Sequence, residues 1–135
     1  MFPVDDLAEL LAALPPDPTS AAVRAIRDAT PSASEASRGA LHDAGPVGVL
    51  ALAHHANEAH RYDEADALAA RAVAEPTAPA AVRAAALLEW AIAAFHRGDM
   101  RSCLDRCTDG LPLAGRLDDP ILQAELEAQA AVACR

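Results

Sequence analysis

The heptapeptide Ala59-His60-Arg61-Tyr62-Asp63-Glu64-Ala65 lies over Arg97-Gly98-Asp99-Met100-Arg101-Ser102-Cys103 when His60 is set against Gly98, an offset of 38 residues. Each copy joins an alanine-rich apolar stretch to a second stretch of helical spacing, and a period of this length is a signature of stacked helical hairpins. Between the copies, Glu75-Pro76-Thr77-Ala78-Pro79 stops one helix and starts another, because proline lacks the amide a helix interior needs yet fits a first turn. One pair of helices is therefore expected over Pro46 to about His60 and Arg61 or Tyr62 to Ala74. A second pair runs from Pro79 through His96, closed by Gly98, and from Met100 to about Leu113 before Gly115.

Working outward, Asp118 or Asp119 with Pro120 opens a last helix that is still running at Arg135. An end without a cap reads as a boundary inside a larger protein. On the other side, Val4 to Leu14 predicts a short helix with Leu7, Leu10, Leu11 and Leu14 on one stripe, ended by Pro15, Pro16 and Pro18. A helix from about Thr19 to Thr30 carries Val23 and Ile26 on one side and Arg24, Arg27 and Asp28 on the other. Ser32 and Glu35 have capping-box spacing, which predicts a further helix to about Ala44, stopped by Gly45 and Pro46. The expectation is an all-α chain of seven to eight helices. Residues 1–45 pack on or cap an array over 46–135, divided into 46–77, 79–115 and the start of a third hairpin at 118–135.

Composition agrees with that reading. Of 135 residues, 36 are alanine, the strongest helix former, and 3% are aromatic, which argues against a β-sandwich or barrel. The eleven basic residues are all arginine, a bias that with the alanine points to a GC-rich bacterial genome. A formal net charge of −9 repels phosphate backbones and anionic lipid surfaces, so no nucleic acid and no membrane are expected as partners. The start MFPVDDLAEL has no basic segment and no apolar stretch is long enough to span a bilayer, so a cytoplasmic location is expected, with Cys103, Cys107 and Cys134 as thiols.

Tyr62-Asp63-Glu64-Ala65 followed by Ala69 and Ala72, and Arg97-Gly98-Asp99-Met100 followed by Cys103 and Cys107, resemble the helix-turn-helix of tetratricopeptide repeats. The resemblance covers about residues 46 to 115, with a half-repeat to 135. It implies antiparallel hairpins stacked as a short α-solenoid, with Ala53, Ala65, Ala91 and Cys103 at tight crossings, Leu52 and Trp90 beside them, and Tyr62 and Met100 plugging the turns. His60 departs from the usual glycine, and the offset of 38 exceeds the family's period of about 34.

The resemblance further implies a concave groove lined by the first helix of each pair: Val47, Leu50, His54, Asn57 and Glu58, then Ala85, Leu88, Ile92, Phe95 and His96. Ile92 and Phe95 would anchor an apolar side chain of a peptide or partner helix, and His54, Asn57 and Glu58 would hydrogen-bond its flanks. The competing reading makes Leu88, Ile92 and Phe95 core, because Glu89 is the only charge between Ala84 and Phe95. The arginine clamp by which some members of the family hold carboxylates has no match at these positions. Ile121, Leu122 and Leu126 form the apolar face of a terminal helix with nothing to cover it, which predicts a homo-oligomer.

Chemistry is sparsely indicated. Cys103 and Cys107 share a helix face and could offer two thiolates to a metal, with Cys134 and His96 the only further candidates, but the resemblance puts both at positions that take small apolar side chains, which implies packing instead. The stretch His54-His55-Ala56-Asn57-Glu58-Ala59-His60 misses both metalloprotease spacings. The six glycines are dispersed and read as helix ends, with no phosphate loop, and there is no nucleophile elbow. No catalytic residue, metal or cofactor is expected. The function expected is a non-catalytic interaction or regulatory module, the N-terminal part of a larger bacterial signalling protein. Its partner would be a protein, a peptide or its own downstream domain. The alternative is a domain that senses a small molecule or peptide and controls a transcription regulator or diguanylate cyclase that follows.

Overall fold

A computed structural model describes residues 4–134, with side chains from Leu7 onward, so the expected continuation of the last helix at Arg135 lies outside the described residues. Among the described residues the chain is all-α, with eight helices: α1 Val4–Ala13, α2 Ser20–Ala29, α3 Glu35–His42, α4 Pro46–Glu58, α5 Tyr62–Ala74, α6 Ala80–His96, α7 Met100–Arg116 and α8 Pro120–Ala133. Thr30–Ser32 forms a 3-10 turn between α2 and α3.

Three of the connections close in one way. The amides of Arg61, Asp99 and Asp119 donate to Ala56, Ala94 and Ala114 carbonyl oxygens, five residues back. The residues just before them, His60, Gly98 and Asp118, donate to Asn57, Phe95 and Gly115 oxygens. This is the Schellman closure, which needs a left-handed residue at its corner, and φ is 61° at His60, 85° at Gly98 and 53° at Asp118. His60 and Gly98, set against each other from sequence, thus share one backbone shape. Asp99 and Asp119 then cap the following helices, each accepting the amide three residues on, from Ser102 and Leu122.

These short turns send each helix back along its predecessor. α4 packs on α5, α5 on α6, α6 on α7 and α7 on α8, while α6 also touches α4 and α8. The core follows the alanines. Ala53, Ala65, Ala91 and Cys103, the four positions expected at close crossings, are each 0% exposed. Small side chains let backbones approach, and the limit is reached at Gly48, where an added Cβ would lie 1.9 Å from the Leu41 carbonyl oxygen of α3.

Three expectations are corrected. The third helix is capped by Ser34, which accepts the Ser37 amide, not by Ser32, which Pro31 draws into the 3-10 turn. The seventh helix does not stop at Leu113: it passes through Gly110 and Pro112 to Arg116, because Pro112 costs it one amide donor on an exposed face. Gly39, Gly48 and Gly110 lie within helices, not at their ends. None of the helices described is long and apolar enough to cross a membrane.

Candidate functional site

α2 is amphipathic in a way that composition hides. Thr19 caps it by accepting the Ala22 amide, and Val23 and Ile26 are buried. Arg27, expected on the solvent side, is only 5% exposed. The reason is tertiary: α2 packs against α4 and α6, and its arginines reach α8, so its polar side faces acids carried by other helices.

Those acids form a network. Glu89 of α6, 1% exposed, takes His54 Nδ1 of α4 at 3.0 Å, Asn57 Nδ2 at 3.0 Å and Arg27 at 3.5 Å. Arg27 continues to Glu125 of α8 at 3.5 Å, and Arg24 holds Asp119 through both carboxylate oxygens at 2.7 and 2.8 Å. A carboxylate can lie this deep only because two side chains hydrogen-bond to it and the Arg27 charge stands beside it, since an unpaired charge there is strongly destabilising. Glu89, the only charge between Ala84 and Phe95, is thus itself buried.

Charge in this cluster sets protonation. Burial works against the His54 imidazolium, yet the hydrogen bond and charge of Glu89, aided by Glu58 and opposed by Arg27, leave it titrating above its ordinary value. His55 is pushed down, first by burial and then by Arg38 and Arg61, and its buried Nδ1 has no partner. Burial raises the Asp119 carboxyl, but the Leu122 amide and Arg24 outweigh it and hold the group below the usual range. His54 Nε2 faces Glu58 Oε1 at 3.9 Å.

The expected groove divides. Leu50, Leu88 and Asn57, expected to line it, are 1%, 2% and 8% exposed; the leucines are core, and Asn57 anchors Glu89 through its side chain and through the Glu89 carbonyl oxygen at 3.0 Å. His54 is partly buried beneath the network, and Glu58 is exposed. Ile92 and Phe95 are half-buried against the cluster formed by α6, α7 and α8. His96 is exposed and stacks on Tyr62, with ring centroids 4.4 Å apart, while Phe95 meets it edge-on. The self-association face is corrected as well. Leu122 and Leu126 are sealed at 3% and 0% exposure, Leu126 lying over Gly110 of α7, and of that trio only Ile121 is exposed.

Sequence reasoning missed Arg24, Arg27, Asp119 and Glu125, and nothing local marks them, since each is an ordinary helix-surface residue until α2 is laid against the other helices. Ser20 Oγ, Arg24 Nε and Arg27 Nε are buried without partners and line one cavity of about 10 Å³, room for a single water. Larger hollows, about 280 Å³ among prolines of the interhelix connections and about 240 Å³ beside His42 and His55, are open grooves. Cys103 and Cys107 lie in the apolar core; burial, then the neighbouring thiol, pushes Cys107 up to about 12, and burial raises Cys103 too. Among the described residues no three potential metal ligands converge. Compared with known proteins, the chain matches no family model, no curated protein and no solved structure.

Proposed function

We propose that the chain is a non-catalytic interaction or regulatory module, a short array of helical hairpins that works in a reducing cytoplasm by holding a partner protein or peptide. The observation that carries this reading is α2 itself: α4, α6 and α8 present a surface that already seats one amphipathic helix through two buried apolar side chains and two arginines. A surface that holds a helix of its own chain has the shape and charge to hold another.

The disposition of His54 supports the absence of catalysis. Both ring nitrogens face carboxylates, Glu89 and Glu58, and not a hydroxyl or thiol that it might activate. For the sensing alternative, the cavity beneath α2, about 10 Å³, is too small for a metabolite, and a ligand would have to use one of the larger hollows of about 240 to 480 Å³.

Position-specific photocross-linking tests the reading. A photoreactive amino acid at Glu58 or His96, both exposed near the C-terminal ends of α4 and α6, should trap a defined partner in cells, and one at Asp109 on α7 should not. Equal cross-linking at all three positions, or none at any, contradicts the proposal.

A further inference from the structure

We propose that α2 occupies this surface as a built-in ligand, and that the external partner is an amphipathic helix repeating its pattern: an apolar residue followed by arginine, twice, three residues apart, as in Val23-Arg24-Ala25-Ile26-Arg27. The inference rests on the interaction-module reading and says what the partner looks like and what it must displace.

The contacts of α2 advance in step along α6 and α8. Ser20 and Arg24 meet the start of α8 at Asp119 and Leu122, Val23 sits over Ala81 and Ala85 of α6, and Arg27 reaches Glu89 of α6 and Glu125 of α8. Ile26, 0% exposed, belongs to the core shared with Val49, Leu50 and Ala53 of α4. A helix lying along its neighbours with anchors at i and i+3 presents itself as a groove-bound segment does.

Charge complementarity selects the occupant. Glu89, Glu125 and Asp119 line the surface of a chain of net charge −9, and the helix seated on it answers with two arginines. Arg24 grips both Asp119 oxygens, but Arg27 is held less closely. Arg27, 95% buried, makes contacts of 3.5 Å to both glutamates, and the Nε atoms of Arg24 and Arg27 are buried without a hydrogen-bond acceptor, Asp28 standing 3.9 Å from that of Arg27. A competing helix that places two guanidinium groups a little differently completes hydrogen bonds that α2 leaves open.

The tethers set what exchange entails. A proline-rich segment, Leu14 to Thr19, precedes α2, and the 3-10 helix Thr30–Ser32, packed on α4 with Thr30 buried, follows it directly. Release of α2 therefore takes that turn off α4 with it. Val23 and Ile26 are its only large apolar side chains in the core, so a competitor has two anchors to replace.

A fluorescent peptide spanning residues 17–33 tests this in titrations against the full chain. The peptide should bind the Arg24→Gln/Arg27→Gln chain at least ~tenfold more tightly than it binds wild type, whose own α2 competes at high effective concentration. Binding should be lost when the peptide carries the same two substitutions or when the receiving chain also carries Glu125→Gln. A folded latch variant that binds no peptide overturns the proposal, as does a wild-type chain of doubled mass in which α2 has exchanged between copies. If the variant does not fold, brief trypsin treatment of wild type decides instead. First cleavage after Arg24 or Arg27, with residues 28–135 left folded, supports release of α2, and cleavage there only at the rate of global unfolding overturns it. Cross-linking at Glu58 and His96 is scored separately, so this inference can fail while the interaction reading stands.

Discussion

At Asp118 the backbone is left-handed with φ of 53°, in the corner that Gly98 fills at 85° in the preceding turn. An L side chain there costs about 1 kcal/mol, and Asp118→Gly should raise the unfolding free energy by a similar amount in urea denaturation. Glu89 acts in the opposite sense. Glu89→Ala removes the one buried carboxylate beside Arg27, leaving it Glu125 and Asp28, and strips His54 and Asn57 of their carboxylate partner, so a loss of about 3 kcal/mol is expected in the same assay. His54 adds a pH dependence. Its folded-state pKa lies above the ordinary 6.5, so between those two values the folded chain binds more protons than the unfolded one. The stability His54 contributes is therefore fully present below 6.5 and is lost as pH rises through the folded value. Denaturation midpoints between pH 6 and 9 should fall for wild type and lose that component in His54→Asn. The sequence marked Glu89 as the single charge in an apolar run. It did not mark Arg27, whose neighbours Arg24 and Asp28 gave it the look of a solvent-facing residue.

Element boundaries were legible where proline and glycine act on the backbone locally. The α4–α5 and α6–α7 turns lie where His60 and Gly98 put them, because a helix that ends in a left-handed corner leaves one residue no choice. Signals failed where tertiary contact overrode them. Gly110 and Pro112 look like a stop, yet α7 continues because Gly110 gives Leu126 of α8 room and Pro112 faces solvent. Gly48 looks like part of a helix start, yet it is where α3 and α4 touch. Gly48→Ala drives a methyl into the Leu41 carbonyl, and, since neither backbone can yield cheaply, it should destabilise by about 2–3 kcal/mol. Thermal denaturation monitored by circular dichroism measures it, and no loss there would mean the α3–α4 approach is wider than described.

Over the whole molecule, the helix count followed from composition and punctuation, but the arrangement of the N-terminal helices did not. Residues 1–45 were expected to pack on or cap the array; α2 packs on α4 and α6 and reaches α8 through side chains, tying them through Glu89, Asp119 and Glu125. That placement depends on pairs 95 and 98 residues apart, such as Arg24 with Asp119 and Arg27 with Glu125, which no local pattern encodes. It also explains why only part of the expected groove is open: the exposed remnant is Glu58 and His96, with Ile92 and Phe95 half-covered. The account makes α2 a seated segment on an otherwise self-sufficient array. Amide hydrogen exchange of the wild-type chain tests this most directly. If α2 is a built-in ligand, amides from Val23 to Ala29 exchange at least ~tenfold faster than those from Ala84 to Ala91 in α6, through opening of α2 alone. Equal protection in the two helices, lost together with denaturant, would make α2 an inseparable part of the core and contradict the account.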